Sequence, residues 1–371
     1  MVGCSASGSL TPNIRRCPAA KLPLTWAHHA RVAAGSSHAH SIRSIKKLAD
    51  EALAQLSPVF DQMYADGGRK SIPPERLLKA LLLQALFSVR SETQLCEQLR
   101  YNMLFRWFLD MDMVEEVFDR STFTKNRERM LKHEVTAQFF IAVVGQAREA
   151  SLMSSEHFSV DGTLIQAWGS LKSFRPKDDD EHDNNGWGDF QGTQRKNDTH
   201  ESKTDPGAKL WRKGKGKESK LCYGANALME NRNGLIVDLR IDELTGTLEQ
   251  DAAVEMIAEH VDVRATVGAD KGYDSTSFVE RVRDLGVTPH VAQNITNHRG
   301  SKVDGRTTRH VGYQLSQIVR RRIEQIFGWM KTVGGAGRSR FRGVERTRLA
   351  GYVVAIAYNL LRISRLVEKP A

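Results

Sequence analysis

The chain has 371 residues, 40% hydrophobic and 26% charged, the balance of an ordinary globular protein with room for two or three domains. It holds no run of about 18 apolar residues, so no membrane span is expected, and its basic start, MVGCSASGSLTPNIRRCPAAKLPLTW, lacks the apolar core of a signal peptide. The net charge of +10 is unevenly spread: from Arg299 onward there are 16 Lys and Arg against 4 Asp and Glu, and the rest nearly balances. One basic region on a near-neutral body points to a polyanion partner, with a solvated basic helix as the alternative.

Four cysteines (Cys4, Cys17, Cys96 and Cys222) have neither metal-binding nor disulfide spacing, which fits a reducing cytoplasm. Residues 1–40 are rich in Ser, Ala, Gly and His and read as a disordered extension. Residues 41–153 read as an all-helical N-terminal domain. Leu48, Leu53, Leu56 and Phe60 recur at helical spacing, and Ile72-Pro-Pro-Glu75 opens the apolar helix LLKALLLQALFSV with prolines where a first turn tolerates them. SETQLCEQL begins with a Ser-x-x-Gln capping pattern, and a further helix follows Asp119 to about Ala150. These short helices, with Arg and Lys on their polar faces, suit either a DNA-reading module or a helical platform that only packs.

The pattern changes after residue 155, and residues 154–367 read as one α/β domain. EHFSVDGTLIQAW alternates like a strand that contains Asp161. A polar insertion at about 172–220 is too long for an ordinary connection and reads as partly disordered until a ligand arrives. LCYGANALME and GLIVDLRID form a hairpin around Asn231-Arg-Asn-Gly234. Thr247-Leu-Glu-Gln250 resembles a capping box before a helix, RATVGAD is a strand ending at Asp270, SFVERVRDLG a helix and VTPHVA a strand. Helices at about 314–332 and 346–367 close the chain. A three-strand meander followed by alternating helices and strands predicts a mixed five-stranded sheet with flanking helices, the element order of a ribonuclease H-like fold.

In such a fold Asp161 and Asp270 lie on neighbouring central strands, where carboxylates are costly without a neutralising cation. The alternative is that each caps a turn, as Asp270-Lys-Gly can. On the late helix, Ile323, Ile326, Phe327 and Met330 make an apolar stripe, with Gln317, Arg320, Glu324 and Lys331 along its edge. That edge is either a surface ladder in which Arg320 pairs with Glu324 or the wall of a cleft. Three carboxylates from separate elements suit two hard cations: Asp161 bridging, Asp270 on one, Glu324 on the other, leaving positions for phosphate and water. Lys209, Arg212, Lys213, Lys215, Lys217 and Lys220, with Trp211 among glycines, suit a flexible arm along a DNA backbone, and Arg338, Arg340, Arg342, Arg346 and Arg348 suit phosphate positioning.

These residues belong to a longer ordered series: IPPERLLKALLLQALFSVRSE, YNMLFRWFLDM, STFTKNRERML, HFSVDGTLIQAWGSLKSFRPKD, NDTHESKTDPGAKLWRKGKGKESKL, ALMENRNGL, ADKGYD, VAQN, DGRTTRH, RRRIEQIFGWMKTVGG and AYNLLR. From about Ser41 to Leu366 the chain resembles the DDE transposases of bacterial insertion sequences, in the group of insertion sequence five. The resemblance implies a helical amino-terminal domain and a ribonuclease H-like catalytic domain. It implies cleavage at the inverted-repeat ends of the element and strand transfer into target DNA, with two Mg²⁺ ions (Mn²⁺ as a substitute) on Asp161, Asp270 and Glu324. Arg320 and Lys331 match the basic pair around the last acid. Such a protein acts on DNA in the bacterial cytoplasm, at the nucleoid, as a homodimer or higher oligomer and without a membrane. Two positions depart from the pattern: Gln317 where some relatives carry Tyr, and Asn226 where His is expected. An inactive copy that binds DNA and represses its own element is the alternative reading, and a ribonuclease H-like nuclease that never joins strands is a third.

Overall fold

The computed structural model describes residues 14–15, 37–64, 69–177, 195–212, 214, 216–295 and 300–368. The chain divides into two compact units, residues 1–84 with 89–142, and residues 85–88 with 143–371. Of the expected N-terminal extension, the described part is a two-residue strand, Ile14–Arg15, paired with Arg69–Lys70, and the first turn of the helix that begins at Ser37.

The first unit is helical: α1 (Ser37–Gln55), α2 (Ser57–Met63), α3 (Pro74–Leu86), α4 (Glu92–Tyr101), α5 (Met103–Phe108) and α6 (Ser121–Lys132), followed by α7 (Val135–Glu149) at its boundary. The cap expected before α4 is formed: Ser91 Oγ accepts from the Gln94 amide, and Gln94 Oε1 accepts from the Arg90 amide. Beneath the apolar layer, the buried ammonium of Lys79 pairs with Asp50 at 2.8 Å and with Asp110, and Lys46 joins both carboxylates. Two lysines and two aspartates thus neutralise one another, the condition under which charge is tolerated in an interior.

The second unit is built on one sheet. Its strands are β1 (His157–Gln166), β4 (Lys209–Trp211), β5 (Lys220–Glu230), β6 (Ile236–Glu243), β7 (Thr266–Ala269) and β8 (Thr288–Val291). A small antiparallel pair, β2 (Phe174–Pro176) with β3 (His200–Ser202), stands apart from it. β6, β5 and β1 form the antiparallel meander, and β7 and β8 continue parallel to β1 on its other side. This order, β6-β5-β1-β7-β8, is the ribonuclease H-like arrangement. The sheet has six strands rather than five, because β4 pairs with β5 at Lys220–Cys222, below the point where β6 stops.

The polar composition of the insertion that supplies β4 predicts partial disorder, yet its described residues are folded. Short polar side chains tie it together where apolar ones are scarce. Asn197 brackets both backbone groups of Leu210, and the buried Asp205 accepts from the Tyr223 hydroxyl at 2.5 Å and from the Gly343 amide at 3.1 Å. Residues 178–194 of the insertion lie outside the described residues.

Helices cover both faces. α8 (Leu248–His260) and α9 (Thr276–Asp284) bury Val254, Met256, Ile257, Phe278 and Val282 against Phe158, Val160, Leu228 and Val267. α13 (Val344–Val367) packs on β6, where Gly351 lets Ile241 and Leu239 approach. By length and composition α13 is apolar enough to cross a membrane, but the buried Leu349, Val353, Ile356 and Leu360 account for that as core. Its Asn359, wholly buried, accepts from the Ile236 amide at 2.9 Å and donates to the Ile236 carbonyl at 2.8 Å, beside the register shift in the β5–β6 hairpin. The predicted helix over 314–332 is instead α11 (Val311–Val319) and α12 (Arg322–Thr332), broken at Arg320–Arg321, with the short α10 (Gly305–Thr308) before them.

Candidate active site

Register brings the two aspartates together. β1 and β7 pair His157 with Thr266, Phe158 with Val267 and Ser159 with Gly268. Continued two residues, that offset sets Asp161 beside Asp270. β7 stops at Ala269 while β1 runs on to Gln166, which leaves a notch at the strand end. Strand alternation puts Ser159, Asp161, Gly268 and Asp270 on one face and the core residues Phe158, Val160, Val267 and Ala269 on the other.

Each aspartate commits one oxygen to the backbone. Asp161 Oδ1 accepts from the Gly162 amide at 2.9 Å, and Asp270 Oδ1 accepts from the Gly272 amide at 2.7 Å. The capping role open to Asp270 is therefore formed, and its other oxygen is left over. Like charges brought together on adjacent strand ends repel, and the charge of Asp270 acts on Asp161. Burial, with the charges of Asp270 and Glu249 added, pushes the Asp161 carboxyl up to about 7, against the pull of the Gly162 amide and Arg320.

The break before α12 and the last turn of α12 present the basic pair, Arg320 and Lys331, to this face. Arg320 packs its side-chain stem against Gly268 and its charge acts on Asp161, while Lys331 Nζ donates to Thr163 at 2.5 Å. Glu324 and Lys331 are seven residues apart, close to two helical turns, and so share one side of α12. Glu324 lies in the first turn of that helix, exposed, and its carboxylate has no hydrogen bond or ion pair among the described residues. The alternative Arg320–Glu324 ladder is not formed, because Arg320 Nε donates to Gln317 Oε1 at 2.9 Å. Gln317 in turn donates to the His290 carbonyl at 2.6 Å, tying α11 to β8.

After α12 the chain turns back along β1. Gln166 N donates to the Gly337 carbonyl and the Ser339 amide donates to the Gln166 carbonyl, bridging Gln166 and Arg338 in parallel. Arg338 and Arg342 are exposed and Arg340 is half-buried on this returning segment. Lys217 is exposed in the loop between β4 and β5, and Lys213 and Lys215 lie outside the described residues.

The sequence marks one acid at the site only as part of a capping box. Glu249 stands in the first turn of α8, where Thr247 makes no side-chain cap. Its Cδ is 2.8 Å from where a β-carbon on Gly162 would sit. Asn226 Oδ1 is 2.7 Å from the same point. Gly162 follows Asp161 because no side chain fits there. Burial first, and then the charge of Asp270, raises the Glu249 carboxyl. No spacing rule marks Glu249; only the sheet register and the closeness of α8 to Gly162 bring it in.

A second acidic group is unrelated to this notch. Asp238, Glu259 and His260 hold ligand-type atoms within 4.8 Å of one another, at the far end of α8 from Glu249. Arg240 already pairs with Asp238 at 3.2 Å and with Glu259 at 2.7 Å, so an ion-pair network accounts for it. A cleft of about 450 Å³ beside it, lined by Arg148, Met153, Phe158 and His260, includes none of the predicted acids.

Residues 32–129 match the family model described as Transposase domain (DUF772), and residues 153–360 match that described as Transposase DDE domain. Among solved structures, similarity extends to a piggyBac transposase synaptic complex with hairpin DNA, at 10% identity and TM-score 0.40, covering 79% of this chain and 66% of that one. The chain thus spans slightly under two thirds of the piggyBac chain. It extends also to a pre-cleavage Mos1 transpososome, at 10% identity and TM-score 0.21, covering 82% and 83%. With one family model matched over more than half of its length, the chain belongs to the transposase DDE domain family.

Proposed function

We propose that this transposase-family enzyme cuts DNA at the inverted-repeat ends of its own element and joins the freed ends to target DNA, using Asp161, Asp270 and Glu324 to hold two divalent ions. The observation that carries the reading is the shared row of Asp161 and Asp270 at the end of β7, on the face where Arg320 and Lys331 reach β1. The donor set fits hard cations: each aspartate keeps an oxygen beyond its backbone bond, and burial with the charges of Asp270 and Glu249 raises the Asp161 carboxyl. Asp161 would bridge both ions, with Asp270 on one and Glu324 on the other; Mg²⁺ suits such oxygens, with Mn²⁺ as a substitute. When bound, the pair supplies an activated water or 3′-hydroxyl and stabilises the leaving oxygen.

The chain's own groups do the rest. Arg320 and Lys331, on either side of Glu324, draw the phosphate to the notch and hold it across the aspartates. The backbone bonds to Gly162 and Gly272 fix one oxygen of each aspartate and so aim the other. Arg338, Arg340 and Arg342 on the returning segment, and Lys217 in the β4–β5 loop, extend the positive surface along the DNA backbone, and Lys213 and Lys215, outside the described residues, are assigned the same role. The protein works where its DNA is, in the bacterial cytoplasm at the nucleoid, as a dimer or higher oligomer that pairs two ends.

The test is a nicking and strand-transfer assay on DNA carrying the element's ends, with Mg²⁺ or with EDTA. Asp161→Ala, Asp270→Ala and Glu324→Ala should each abolish cleavage while DNA binding survives. Near-normal cleavage by any of the three removes that residue from the site, and binding without cleavage by the unaltered chain favours the repressor reading.

A further inference from the structure

Four observations converge on Glu249. Its carboxyl end lies against Gly162, next to Asp161 in the chain, and the missing side chain there lets it come close enough from the opposite face of the sheet for its charge to act on Asp161. The first turn of α8 is clamped to the turn after Asp270: Gln250 Nε2 donates to the Gly272 carbonyl at 3.1 Å, and Ser275 Oγ donates to Gln250 Oε1 at 2.9 Å. Arg281 holds the adjoining Asp251 at 2.6 Å, so the turn is fixed on two sides. Under the acids lies the Tyr273 hydroxyl, 1% exposed and turned to Glu249, within the field of Asp161 and Asp270 as well. The Asn226 amide nitrogen, 2% exposed and without a partner among the described residues, belongs to the side chain that faces the same Gly162. A buried amide left unmatched and a buried hydroxyl turned to Glu249, beside three crowded carboxylates, describe a site that is completed by something it binds.

We infer that Glu249 is a third ligand to the ion shared by Asp161 and Asp270, with Tyr273 and Asn226 positioning that shell. The inference rests on the proposed two-ion site and adds a residue outside the expected triad. Glu324, exposed on α12 and without a partner among the described residues, is left to the other ion. Three acids on a clamped turn and two adjacent strands hold the first ion without DNA, whereas the second waits for phosphate oxygens.

The experiment is Mn²⁺ titration of the full, DNA-free chain by calorimetry. Glu249→Gln should weaken the tightest Mn²⁺ site tenfold or more, Asp161→Asn at least as much, and Glu324→Gln less than either. A control, Glu259→Gln, should leave it unchanged. Wild-type affinity in Glu249→Gln with binding lost in Asp161→Asn overturns the role of Glu249 and leaves the two-ion reading intact. Unchanged affinity in both overturns the two-ion reading itself. Should Glu249→Gln unfold, the unaltered chain labelled with ¹³C in its glutamate carboxyls decides the question. One resonance, assigned through Glu249→Asp, should broaden first as Mn²⁺ is added; a Glu249 signal untouched at saturation contradicts the inference.

Discussion

Asp161 and Asp270 stand in one row of the sheet because β1 and β7 pair at a constant offset, and β7 ends one residue before the second aspartate. The strand end, not a loop, places them, so their spacing is as rigid as the sheet. Like charges held this way make the metal-free protein unstable at its own active site. Burial and neighbouring acids raise the Asp161 carboxyl to about 7, above its value near 4 in an unfolded chain. The folded state therefore keeps this proton where the unfolded chain has lost it. Stability from this group is fully present below about pH 4 and is lost as pH climbs from about 4 to 7. Asp161→Asn should raise the stability of the metal-free protein at pH 8 by about 1–3 kcal/mol and leave it unchanged near pH 4. Urea denaturation in EDTA at the two pH values measures this; a loss at pH 8 contradicts it.

The same proton competes with metal. Mn²⁺ affinity should be flat above pH 7 and fall by about tenfold per unit below it, since one carboxyl must give up its proton. Calorimetry between pH 5.5 and 8 reads the slope, and an affinity independent of pH counts against Asp161 as a ligand.

Gly162→Ala places a methyl within 2.8 Å of Asn226 Oδ1 and of the Glu249 side chain. We expect about 1–3 kcal/mol of destabilisation from the overpacking, with weaker Mn²⁺ binding as Glu249 is pushed away. Denaturant midpoints and metal titration on one preparation test both effects. Wild-type behaviour in both shows that the notch is looser than its geometry.

Asn359→Ala strips both hydrogen bonds from Ile236 and leaves a buried amide and carbonyl unmatched. The cost should be about 1–3 kcal/mol, seen as a lower urea midpoint with no change in metal affinity. A loss of metal binding in the folded variant would instead tie α13 to the acidic notch and contradict a purely structural role for Asn359.

Much of the fold is legible in the sequence. The meander, the parallel strands and the positions of both aspartates follow from alternation and from turn residues such as Gly234, whose φ of +67° the hairpin needs. Three features are not. The strand β4 hides in a polar stretch because Asn197 and Asp205 hold it by hydrogen bonds, which leave no hydrophobic period. The break between α11 and α12 falls among arginines that are good helix formers, where tertiary bonds from Gln317 and Tyr313 to β8 override propensity. Glu249 is invisible as a site residue because a first-turn glutamate is a common helix start, and only its contact with Gly162 sets it apart.

Replacing Arg320 or Lys331 with Gln should lower the rate of cleavage by about 10–100-fold and flatten the salt dependence of DNA binding by roughly one ion per residue. Cleavage rates with binding isotherms at several salt concentrations separate a phosphate contact from a purely structural bond to Thr163, which would alter stability and leave the salt slope alone.

The most direct test of the two-ion site is the anomalous scattering of Mn²⁺ in crystals of the chain bound to DNA carrying the element's ends. A peak is predicted between the carboxylates of Asp161 and Asp270, and a second one reached by Glu324. A map with no peak at that notch, or with manganese only at Asp238, Glu259 and His260, contradicts the site.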